Sequence, residues 1–81
     1  PNPFADRTRI VFSLPDEARV AVKIYNIRGQ VVQTIEQGRL THGEHSLTLD
    51  LSNKTLAAGL YFYTLHINEK MQAVKKLTIL R

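Results

Sequence analysis

Apolar residues recur at every second position in short runs separated by turn-forming residues, and this period restricts the fold more than any other feature. Ile10, Phe12 and Leu14 share one face of a run that begins at Thr8. Pro15-Asp16-Glu17 interrupts that run with a turn. Val20, Val22 and Ile24 then repeat the alternation, with Ala21, Lys23 and Tyr25 pointing the other way. Asn26-Ile27-Arg28-Gly29 reads as a hairpin turn, because its glycine supplies the positive φ that a short bulged connection needs. Val31 to Gln37 is a third strand, with Val31, Gln33 and Ile35 set against Val32, Thr34 and Glu36. Gly38 to Gly43 reads as a glycine-bracketed loop. A fourth strand carries His45, Leu47, Leu49 and Leu51 on one side and Ser46, Thr48 and Asp50 on the other. Ser52-Asn53-Lys54-Thr55 opens a connection that runs to Gly59. Leu60 to Ile67 is the densest strand, with Tyr61, Tyr63, Leu65 and Ile67 opposing Leu60 and Phe62. Asn68-Glu69-Lys70 forms a tight turn, and Met71 to Leu80 returns as the last strand.

Helix is a poor rival. Val, Ile, Thr, Tyr and Phe crowd the periodic runs, and these residues suit a pleated, half-buried surface. Six to seven short strands with regular turns predict an all-β chain, an immunoglobulin-like antiparallel β-sandwich in which two sheets close their oily faces on each other. The chain lacks cysteine and tryptophan, so the antibody-type Cys-Trp-Cys arrangement is excluded. Its 81 residues suffice for one core, and residues 1–81 are expected to be a single domain excised from a larger multidomain protein. No apolar run approaches the roughly 20 residues that span a bilayer as a helix.

Chemistry is sparse. Asp6, Asp16, Glu17, Glu36, Glu44, Asp50 and Glu69 fall in turns or on outward positions, where no acid–base pair is set in an apolar environment. His42 and His45 stand three apart across a loop, a weak match to a zinc site; His45 reads instead as a partly buried, satisfied residue at a strand start. Catalytic residues, metal ligands and cofactors are therefore all expected to be none. The formal net charge is +4, but the cations are dispersed and lack the interleaved stacking residues of a nucleic-acid binder, so no nucleic-acid partner is expected. Lys75 and Lys76 are adjacent and must point to opposite faces; one of them turns inward unless the strand is an edge or bulged. Lysines on an edge strand also deter edge-to-edge aggregation. Tyr61, Phe62 and Tyr63 have core-forming density, with the tyrosine hydroxyls reaching the rim. Pro3 and Phe4 are expected to plug one end of the sandwich.

Four segments together carry a resemblance: Pro1-Asn2-Pro3-Phe4, the hairpin Ile24 to Val31, Leu56 to Tyr63, and Lys75 to Arg81. In this order and spacing they resemble the C-terminal sorting domain, type A, carried by cargo of the type IX secretion system of Bacteroidetes and relatives. A sister family with nearly the same motifs is the immunoglobulin-like domain of flagellar hook-capping proteins. Thr8 stands where the sorting family commonly has threonine, whereas Ala5-Asp6 departs from the Asn-Pro often found after the opening.

The resemblance implies a non-catalytic signal that directs its parent across the outer membrane and to cell-surface attachment. The implied partners are the outer-membrane translocon, sortase-like processing components and the parent's own catalytic or adhesive domains. The implied route is the periplasm in transit, then the cell surface or the medium. Gly59, Tyr61, Lys75, Lys76 and Leu77 are the residues expected to be recognised. Two other classes remain open: a structural spacer or docking module, and a carbohydrate-binding module of a secreted glycoside hydrolase. The first makes the Lys75/Lys76 strand matter for folding only; the second requires an exposed coplanar aromatic strip.

Overall fold

The computed structural model describes residues 7–52 and 56–79. The opening Pro1 to Phe4, part of the connection after Ser52, and the last residues Leu80 and Arg81 lie outside the described residues. All regular structure described is β: β1 (Arg7–Leu14), β2 (Ala18–Tyr25), β3 (Val31–Leu40), β4 (Gly43–Asp50), β5 (Gly59–Ile67) and β6 (Lys70–Ile79). These form a two-stranded sheet, β1-β4, and a four-stranded sheet ordered β3-β2-β5-β6, antiparallel throughout. The described residues form an immunoglobulin-like sandwich of six strands.

The core lies between the sheets and follows the sequence period. Ile10 and Leu14 of β1 and Leu49 of β4 face Val20, Val22 and Ile24 of β2, the last three at most 1% exposed. Tyr61 and Leu65 of β5 and Leu77 and Ile79 of β6 complete the cluster. The β5 residues Tyr63, Leu65 and Ile67 sit directly opposite Ile24, Val22 and Val20, so one period fixes the inner face of both central strands. Each fully buried aliphatic chain here is worth about 1.5–3 kcal/mol relative to exposure.

β3 departs from the sequence reading in two places. Val31 pairs with Tyr25 and Gln33 with Ile24, which leaves Val32 unmatched as a bulge. Val31 is consequently exposed while Val32 packs on the core, so Val31 does not share a face with Gln33 and Ile35. The predicted loop from Gly38 to Gly43 is mostly strand: β3 runs to Leu40, β4 starts at Gly43, and only Thr41 and His42 connect them. Gln37 is a second unmatched residue, and Gly38 beside it has φ +74°. The glycine therefore serves a bulge inside the strand instead of a loop outside it.

Polar contacts fix the turns. Asn26 accepts from the Arg28 and Gln30 amides through its side-chain oxygen, which braces the β2–β3 turn. Asn68 and Glu69 both have positive φ, as a two-residue hairpin turn requires, and Asn68 exchanges two bonds with the Arg19 backbone. Arg7 and Asp50 face each other across β1 and β4 and pair at 3.0 Å.

Asp50 also accepts from the backbone amide and hydroxyl of Ser52, and these donors, with Arg7, hold its carboxyl down from an ordinary 3.8 to about 2. Because the folded value is depressed, its contribution is complete above the unfolded value and is lost as the pH falls toward the folded one. In acid melts the wild-type advantage over Asp50→Asn is expected to hold near neutrality and to close as the pH drops from 3.8 to about 2. A gap that persists unchanged at pH 2 contradicts this.

Candidate recognition surface

The β5–β6 hairpin carries all five residues singled out by the sequence, and among the described residues β6 is an edge strand, hydrogen-bonded to β5 alone. Gly59 has φ +147°, a conformation L-residues rarely adopt, although a Cβ there would meet nothing within 4 Å. Its requirement is thus one of backbone geometry and not of space. Tyr61 is 8% exposed, and its hydroxyl donates to the Ala57 carbonyl at 2.8 Å, tying the start of β5 to the chain that leads into it. That contact resembles the tyrosine corner of immunoglobulin-like sandwiches, in which a phenol caps the backbone a few residues upstream. Leu77 is 2% exposed and sits directly across from Tyr61. Three of the five are therefore built into the fold.

The lysines are different. Lys75 pairs with Tyr63 and so lies on the inward side of β6, whereas Lys76 pairs with Phe62 and lies on the outward side. Both are exposed. The sequence required an edge or a bulge for this, and β6 has both: it is the last strand of its sheet, and Gln72 is unmatched between the Leu65–Ala73 and His66–Met71 pairs. Among the described residues neither lysine has a carboxylate partner; the ion pairs are Arg7–Asp50 and Arg39–Glu17.

The aromatic strip needed for carbohydrate stacking does not form from Tyr61 and Tyr63, which both lie on the core side. Phe62 does point outward, half-buried beside Tyr25, where core density in the sequence suggested packing. Two of the three histidines, His45 and His66, have local partners. His45 stacks on Phe12, with ring centroids 5.6 Å apart, and its Nε2 lies 2.7 Å from the Thr41 carbonyl oxygen. His66 Nε2 lies 2.7 Å from the Thr64 hydroxyl oxygen, which also donates to Tyr25. Thr64 is 4% exposed, so this network satisfies a buried hydroxyl and offers no open nucleophile. A shallow depression of about 340 Å³ lies beside it, lined by Arg19, Ala21, Lys23, Glu36, His66 and Glu69. Its charges are of both signs. No group of three His, Asp or Glu side chains among the described residues is placed to hold a metal ion.

Together these features define a small immunoglobulin-like module with a well-packed core and a basic, exposed edge strand. The sequence model of the family described as "Secretion system C-terminal sorting domain" matches residues 1–80. The chain belongs to that family, the C-terminal sorting signals of type IX secretion. No curated protein and no solved structure gives a match. Membership implies interaction with the type IX machinery and export of the attached protein to the cell surface or beyond. No helix among the described residues is long and apolar enough to cross a membrane.

Proposed function

We propose that the chain is a type A sorting domain forming the C-terminal part of a larger exported protein, and that the outer-membrane translocon reads it in the folded state. The parent, a secreted hydrolase or an adhesin, enters the periplasm by a separate N-terminal signal. A sortase-like protease then removes the domain near its N-terminal boundary and joins the cargo to an anionic lipopolysaccharide on the cell surface. The domain is the substrate of that step and supplies no catalytic residue or cofactor. The observation that carries this reading is the family match along residues 1–80 of an 81-residue chain. The exposed Lys75 and Lys76, without a carboxylate partner among the described residues, support recognition at β6, with Gly59, Tyr61 and Leu77 fixing the strands that present them.

The test is a fluorescent reporter, exported to the periplasm and carrying residues 1–81 at its C-terminus, in a host with a type IX system. The reporter recovered from the cell surface or medium is expected to be shorter by about 9.2 kDa, the mass of the domain, apart from any attached glycolipid. The Lys75→Ala/Lys76→Ala fusion, with an unchanged melting temperature, is expected to accumulate in the periplasm. Full-length reporter on the surface contradicts removal of the domain; normal export of the folded double variant contradicts the choice of lysines.

A further inference from the structure

In a sandwich the face turned away from the core is ordinarily polar. On the outer face of the four-stranded sheet apolar side chains gather at one end, while Arg19, Glu36 and His66 lie toward the other. Register places Tyr25, Phe62 and Lys76 in one row across β2, β5 and β6, and Lys23, Thr64 and Val74 in the next. Leu60, two residues before Phe62 on β5, points the same way. Leu60 is 42% and Val74 54% exposed, and Tyr25, Phe62, Leu60 and Val74 all lie outside the buried cluster and the residues packed on it. This apolar surface is not part of the core, and contiguous exposed apolar surface marks interaction sites.

Within these two rows the charge is one-sided. In these rows the only ionisable groups besides the Tyr25 phenol are Lys23 and Lys76. Glu36, diagonal to Lys23 on β3, and Glu69 line the depression together with Lys23 and Arg19, on the side of Lys23 away from Phe62. With strands about 4.8 Å apart and same-face residues about 7 Å apart along a strand, Lys76 stands beside Phe62, and Lys23 lies diagonally across it on the other side. A ligand that fits this has an apolar side chain on Phe62 and a carboxylate on each flank.

We propose that the outer face of β2, β5 and β6 is a docking surface for an acidic protein segment of that kind. The inference rests on the sorting-domain reading only in taking the segment to belong to the export machinery, and it narrows the lysine pair to Lys76. Two cations around an apolar patch suit a protein partner. Nucleic acid demands a longer track of phosphate contacts, and an anionic membrane a polybasic cluster or an inserted amphipathic helix.

The test uses amide spectra of the ¹⁵N-labelled 81-residue chain, titrated with a short peptide in which one leucine is flanked by aspartates. Shifts are expected at Tyr25, Phe62, Thr64, Val74 and Lys76, and none with a peptide carrying lysines in place of the aspartates. Lys76→Glu is expected to weaken binding by about tenfold and Lys75→Glu by less than about twofold, since only the former lies on this face. Lys23→Glu serves as the second variant where Lys76→Glu lowers the melting temperature. Shifts confined to the β1–β4 sheet, equal losses for Lys75→Glu and Lys76→Glu, or binding to phosphatidylglycerol vesicles in place of the peptide overturns the proposal. The reporter fusion separates the two readings. An unaltered fusion that stays in the periplasm removes the sorting role while the peptide titration still decides the face. A folded Lys76→Glu fusion exported as well as Lys75→Glu overturns the face as the export contact.

Discussion

Leu77→Ala is expected to cost about 2–5 kcal/mol, the range for truncating a fully buried leucine. Leu77 is 2% exposed, lies opposite Tyr61 and belongs to the one buried cluster shared by both sheets. Its position on an edge strand does not spare it, because its side chain points inward even though, among the described residues, the strand is paired on one side only. Domains of this size are stable by only about 4–12 kcal/mol, so the loss takes away a large part of what holds the chain folded. Lys75→Ala and Lys76→Ala, two residues and one residue before it, are expected to change stability by no more than about 0.5 kcal/mol. Urea unfolding checks the contrast: the Leu77→Ala midpoint falls with little change in slope, and the lysine variants overlay the wild type. A Leu77→Ala loss below about 1 kcal/mol would show that the sheets do not close over β6 as described.

Tyr61 separates two contributions within a single side chain. Tyr61→Ala removes a ring that fills the core beside Leu77 and is expected to cost about 3–5 kcal/mol. Tyr61→Phe keeps the ring and loses only the hydrogen bond to the Ala57 carbonyl. Ala57 is itself exposed, so water reaches the carbonyl and the expected cost is about 1 kcal/mol. Thermal melts of the two variants give this order directly; equal losses would mean that the hydroxyl contact and not the packing anchors β5. On this account Tyr61 and Leu77 affect export through the folded fraction. Export of both alanine variants should therefore recover at lower temperature, whereas a folded Lys76→Glu protein should not.

Much of this fold was legible because burial on one face of a sheet leaves a period of two in the chain. Val20, Val22 and Ile24, and Tyr61 and Leu65, were assigned to the inner face from that period alone, and they are buried. The period fails where a residue is added on one strand. Val32 and Gln37 are such additions in β3, and each reverses the parity that follows it. A glycine in a bulge has the same composition signal as a glycine in a loop, which is why Gly38 read as the start of a loop. The site was legible only in part for a related reason. Pattern can show that Lys75 and Lys76 point opposite ways, but which one shares a face with Phe62 depends on pairing with β5. Phe62 itself read as core because aromatic density in a strand ordinarily reports burial; here the strand is flanked by aromatics on both faces.

The central claim is that these 81 residues suffice to send a folded protein through the type IX translocon. It is tested most directly by measuring how much of the reporter fusion lies outside the outer membrane in two hosts, one with a working translocon and one without. The account predicts surface or medium fluorescence in the first host and periplasmic retention in the second. Retention in both hosts, or equal escape from both, would contradict it.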